Sequence, residues 1–192
     1  MTAVFAFAVE GLSALSEFDE VPDQIRLAAL RAVNKTAQRA RTLSARAIRQ
    51  QVALPARYLS SADGRLEISK RATRNELESV VSAERRPTSL ARFVRGHQRK
   101  RGVRVTVKPG AARYLRNAFL VKLRNNNVGL AVRTSGGPPR AAYKPRMIFP
   151  NVYLLYGPSV DQAFQTVRQD VSDETADFLE YEFNRLIDAE IA

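Results

Sequence analysis

Residues 3–9 alternate Phe5, Phe7 and Val9 with Val4, Ala6 and Ala8. Both faces are apolar, which predicts a strand covered on both sides. A polar connection follows over residues 10–20. Pro22 and Asp23 then open a pattern at helical spacing: Ile25, Ala28, Ala29, Ala32, Val33, Thr36, Ala37, Ala40, Leu43, Ala47 and Ile48. Proline suits a first helical turn, and a carboxylate there suits the helix dipole. The predicted helix runs to about Gln51, and Pro55 ends the pattern. Its stripe is mostly alanine, so another backbone can approach closely. The other face carries Arg26, Arg31, Lys35, Arg39, Arg46 and Arg49.

The middle of the chain changes period from helical to alternating. Segments 65–71, 76–83, 102–108, 117–124 and 128–133 are predicted strands of a mostly antiparallel sheet. Phe119, Val121 and Leu123 alternate with Leu120 and Lys122, Asn125-Asn126-Asn127 turns, and Val128, Leu130 and Val132 alternate back, which is a hairpin signal. Val103, Val105 and Val107 form a strand that ends at Pro109-Gly110. Residues 84–101 and 134–146 read as long loops, mobile or held by partners. Val152 to Tyr156 is a buried type of strand, broken by Gly157-Pro158. Ser159 stands three residues before Gln162, the spacing of a capping box. A second long helix follows to about Ala189, with Val160, Ala163, Phe164, Val167, Val171, Phe178, Leu179, Phe183, Leu186 and Ile187 on its apolar face. The predicted fold is α+β: a long N-terminal helix, a mostly antiparallel sheet with hairpins, and a long C-terminal helix, in one domain over residues 1–192.

Charge adds a second pattern. Residues 1–20 carry Glu10, Glu17, Asp19 and Glu20 with no Lys or Arg, and residues 161–192 carry nine carboxylates against Arg168 and Arg185. The total is +12, so the body 21–160 holds +23 between an acidic start and an acidic helix over 160–190. Such sorting suits either a polyanion or copies of the same chain meeting with opposite charges apposed. The absence of cysteine excludes disulfides, thiolate zinc sites and thiol catalysis. The first residues lack a basic n-region and a long apolar run, so no signal peptide is expected. No stretch approaches the roughly 18 apolar residues of a membrane span, and no membrane partner is expected.

Little catalytic chemistry is visible. His97 is the only histidine and sits in a basic loop without a carboxylate near it in sequence. The acidic residues 170–182 could suggest a cation site, but they read as a solvated or partner-facing helix flank. Neither a Walker loop nor a dinucleotide fingerprint is present. No catalytic residue, cofactor or metal is expected. The densest feature is the cationic run Arg92, Arg95, Arg99, Lys100, Arg101 and Arg104, with Phe93 among them. It could neutralise phosphates without reading bases, or pair with acidic surfaces of neighbouring subunits. Both uses stay open, and a nonspecific or architectural DNA-binding protein is the alternative reading of the chain.

Two segments resemble the phage minor tail protein Z family, also called tail completion proteins. One is the Ala/Arg-rich helix from Ile25-Arg26-Leu27-Ala28-Ala29-Leu30-Arg31 onward to Ala47. The other is Tyr156-Gly157-Pro158-Ser159-Val160-Asp161-Gln162-Ala163-Phe164. The order of parts is also similar, while residues 56–115 match only in character. The resemblance implies a non-enzymatic structural protein of a long-tailed bacteriophage virion. It would be assembled in the bacterial host cytoplasm and complete the head-proximal end of the tail. It implies a homo-oligomeric ring, expected to be a hexamer, that helps head–tail joining and DNA passage. The expected partners are tail tube or tail terminator proteins, head-connector proteins and phage DNA in the channel. Arg31, Lys35, Arg39, Asp173, Asp177 and Glu180 become the subunit-contact candidates, and Gly157, Pro158 and Ser159 the strand-to-helix junction.

Overall fold

Alanine recurring at helical spacing builds α1, Asp23–Gln51, with Pro22 just before its first turn. The computed structural model describes residues 3–7, 22–60, 65–96 and 102–191. The α1 stripe is buried at Ala28, Ala29, Ala32, Val33, Thr36, Ala37, Ala40, Ser44 and Ile48. It lies against α2, Val160–Ile191, which buries Ala163, Phe164, Val167, Val171, Thr175 and Leu179. The two helices run antiparallel: Lys35 meets Glu182, Arg39 meets Glu174 near the middle of both helices, and the Gln51 side chain at the end of α1 accepts a 2.6 Å hydrogen bond from Thr166 near the start of α2.

The strands form small antiparallel sheets around this helix pair. β1 (Ala3–Phe7) and β2 (Leu66–Lys70) flank β3 (Ser79–Ala83), a strand buried along its length. The backbone of β1 fits the predicted strand, while residues 8 and 9 and the burial of its faces lie outside the described residues. β5 (Gly102–Lys108) and β6 (Ala111–Arg116) make a two-stranded ribbon across the turn Pro109-Gly110. β7 (Ala118–Lys122), β8 (Val128–Arg133), β10 (Val152–Leu154) and β9 (Arg146–Phe149) form a four-stranded sheet in that spatial order. The expected β7–β8 hairpin forms, in a register from Ala118 opposite Val132 to Lys122 opposite Val128.

Three findings depart from the predicted pattern. β6 and β9 were not expected: β6 is exposed along most of its length, and β9 begins at Arg146 where the loop 134–146 was drawn. The strand expected over 152–156 breaks at Leu155, after which β11 (Tyr156–Gly157) turns away to pair with β4 (Thr88–Ser89). Residues 84–96 are also not loose. A 3-10 turn over Leu90–Phe93 follows β4, and Phe93 sits wholly buried in the main core with Ile48, Leu59, Leu66, Val81, Val103, Val105, Leu130 and Phe164. The aromatic expected among the arginines is therefore a core anchor.

The α2 start confirms the capping box. The Gln162 amide donates to Ser159 Oγ at 3.1 Å, and the Ser159 amide donates to Gln162 Oε1 at 3.1 Å. Ser159→Ala is expected to cost about 1 kcal/mol, and Phe93→Ala about 3–5 kcal/mol, both read from denaturant unfolding. A Phe93→Ala protein that unfolds with the wild type would contradict the anchoring of the basic segment in the core.

Candidate nucleic-acid and subunit interface

No Asp or Glu occurs between Glu84 and Asp161, a span that holds 17 Lys and Arg. This span builds β4 to β11, so the ribbon and the four-stranded sheet contain no acid to balance their cations. The basic segment and the Gly-Pro-Ser junction, two separate features in the sequence, meet in space. Gly157 pairs with Thr88, and a Cβ at Gly157 would stand 3.0 Å from Phe93 Cε2 and 3.2 Å from Leu90 Cδ2. Glycine lets the junction close on the 3-10 turn without displacing these two side chains. The Asp161 amide donates to the Glu84 carbonyl at 3.1 Å, and Arg85 Nε lies 3.9 Å from Asp161 Oδ2. The junction thus clamps the root of the basic segment.

The cationic candidates separate once folded. Arg92 is exposed and lies over the Tyr58 ring, 5.3 Å from its centroid, with Arg65 at 4.4 Å from the same ring. Arg99, Lys100 and Arg101, like His97, lie outside the described residues. Arg95 and Arg104 come together: Val94 pairs with Val105, and the Arg95 amide donates to the Arg104 carbonyl at 3.0 Å. On the far side of β5, Arg104 faces Tyr114 and Gly102 faces Arg116. Tyr114 and Arg116 were missed in the sequence. The Pro109-Gly110 turn after an alternating strand was the signal for a returning strand there. Val103 and Val105 point into the core, which turns Arg104 and Tyr114 outward.

The helix candidates are partly spent within the chain. Lys35 Nζ lies 2.6 Å from Glu182 Oε1, and Arg39 Nη2 lies 2.9 Å from Glu174 Oε1. Arg39 also covers the Phe178 ring, 4.4 Å from its centroid. Part of the sorted charge therefore closes inside one molecule. Glu182 is 2% exposed, held by Arg185 at 2.6 Å as well as by Lys35. Hydrogen bonds from Arg185 and then Lys35 outweigh the cost of burial and lower its pKa to about 2. Arg31 is exposed. Asp173, Asp177 and Glu180 are exposed on one α2 face with Asp170, and none of the four makes an ion pair among the described residues. The same helix exposes Tyr181, while the sheet-edge strand β9 exposes Met147 and Phe149.

Among the described residues no group of three or more His, Cys, Asp or Glu side chains could hold a metal ion. No described helix is long and apolar enough to cross a membrane.

Because the Glu182 pKa is depressed in the fold, its stabilising contribution is complete above its ordinary value of 4.5 and is lost as pH falls toward about 2. The wild-type unfolding midpoint should therefore drop across that window relative to Glu182→Gln, whose curve lacks this component. Parallel curves from pH 5 to about 2 would contradict a charged, buried Glu182.

Among known proteins, the family model described as prophage minor tail protein Z matches residues 8–191. No curated protein matches the chain, and no solved structure matches it.

Proposed function

The chain belongs to the prophage minor tail protein Z family, and from that premise we propose that identical copies form a ring at the head-proximal end of the tail. Family membership makes it a bacteriophage minor tail protein, a structural component of the virion tail. The finer reading is that the ring completes the tail, meets tail and head-connector proteins at its two ends, and surrounds the path of the DNA.

One observation carries this reading: the same chain bears an exposed acidic helix face and an acid-free basic span over residues 85–160. Copies stacked head to tail in a closed ring bring one surface against a different surface of the next copy. In the contact we propose, the outward face of α2, with Asp173, Asp177, Glu180 and Tyr181, lies on the β9 edge of the next copy, with Arg146, Met147 and Phe149. Opposite charges would steer the approach and oppose wrong pairings. The contact would also cover Met147 and Phe149, which are 61% and 64% exposed at a sheet edge. A bare apolar edge of that kind invites unwanted strand pairing. Arg31 and the half-exposed heads of Lys35 and Arg39 lie on the neighbouring helix and would extend the same surface.

Asp173→Lys with Asp177→Lys, and separately Phe149→Glu, should leave the fold intact and abolish assembly. Mass photometry and electron microscopy of purified protein and of tails read the result. Wild-type protein that stays monomeric at high concentration and never joins tails would overturn the ring reading.

A further inference from the structure

We propose that the outward face of the β5–β6 ribbon, together with Arg95, is a platform for the phosphate backbone of duplex DNA. Three adjacent backbones present Arg95, Arg104 and Tyr114 in a row, with Arg116 diagonal to Arg104. All four side chains are exposed, and Tyr114 is 46% exposed. The hydroxyl end of Tyr114 lies close over Gly102: a Cβ there would stand 2.9 Å from its Cζ and Oη, and would also collide with the Leu115 carbonyl oxygen. Glycine at 102 therefore leaves room for the aromatic against its own ribbon.

The arrangement costs stability and gains none inside the molecule. Like charges directly opposite on neighbouring strands repel. Arg95, Arg104 and Arg116 have no ion pair among the described residues, and no acid exists in the span that builds the ribbon. A bound polyanion removes that repulsion. The outward face of the ribbon is Gly102, Arg104, Thr106, Ala112, Tyr114 and Arg116, without Asn or Gln. Arginine and tyrosine donors suit phosphate oxygens, contacts that position a duplex.

The alternative occupant, the acidic α2 face of a second copy, is the surface that the proposed subunit contact places on the β9 edge. Contact between identical chains leaves their summed charge at +12 per chain, a surplus that a phosphate backbone complements. The choice of duplex DNA rests on the tail reading above.

The test is fluorescence anisotropy of a labelled duplex of mixed sequence, titrated with protein over a range of salt. Replacing Arg104 and Arg116 together by Ala should make the slope of log affinity against log salt shallower by about 1.8. At about 0.15 M salt, binding should be about thirtyfold weaker, the factor this slope change produces below 1 M. Arg104→Lys with Arg116→Lys should keep the slope, and Tyr114→Ala should weaken binding with the slope kept. Lys122→Ala with Arg124→Ala removes equal charge from the β7–β8 hairpin and should leave the slope unchanged. Equal loss in that control, no loss in the ribbon variant, or no wild-type binding overturns the platform. Lost self-association with intact DNA binding overturns it too, and assigns the ribbon to a subunit contact. Tail incorporation separates the two readings. Wild-type protein that binds DNA through the ribbon but never joins tails fails the tail reading alone. A ribbon variant with unchanged DNA affinity, from a wild type that builds tails, fails the platform alone.

Discussion

Alanine at positions 28, 29, 32, 37 and 40 leaves no side chain thick enough to hold α2 away from α1. Small residues bring little apolar area each, so the stability of this contact comes from close backbone approach and many weak dispersion contacts. That approach decides how the polar groups sit. Glu182 is trapped at the seam, and a buried carboxylate is tolerable only with donors supplied to it. Lys35 from α1 and Arg185 from α2 supply them. The antiparallel pairing then places the start of α2 beside the end of α1, where the main core of Phe93, Phe164 and Leu130 forms.

From that core the charge layout follows. The Gly157-Pro158-Ser159 junction combines close packing at Gly157 with helix capping at Ser159. Through Gly157 it grips Phe93, and through Asp161 it approaches Arg85. The basic segment is thereby rooted, while the ribbon beyond it turns its arginines outward because Val103 and Val105 turn inward. Acid and base meet along α1 and α2, and again around β2 and β3, where Arg65 pairs with Glu84 and Lys70 with Glu76 and Glu78. The β5–β6 ribbon and the four-stranded sheet are left positively charged and the outer face of α2 negatively charged, a distribution suited to an assembly protein of a virion tail.

Much of this was legible in residue order. The alanine stripe, the Asn125-Asn126-Asn127 hairpin and the Ser159/Gln162 cap are local signals, and each appears where its spacing put it. β6 and β9 were not legible, because Ala111–Arg116 is exposed on most positions and Arg146–Phe149 is short and half bare. A strand without a buried face has no alternation to read. Phe93 looked like an aromatic among phosphate-seeking arginines, since neighbours in sequence say nothing about which side of a 3-10 turn meets the core. The contact of Arg92 with Tyr58 was hidden for the same reason, as Tyr58 lies far away in the chain.

The sequence by itself determined the element types, the helix-to-sheet order and the separation of charge, because periodicity, caps and composition act over a few residues. Only the tertiary structure decided which charges cancel and which remain. Lys35 and Glu182 are 147 positions apart and neutralise each other across the helix seam. Arg95, Arg104, Tyr114 and Arg116 become neighbours through strand register. Coulomb interactions depend on distance through space, and that distance exists only once the chain has folded.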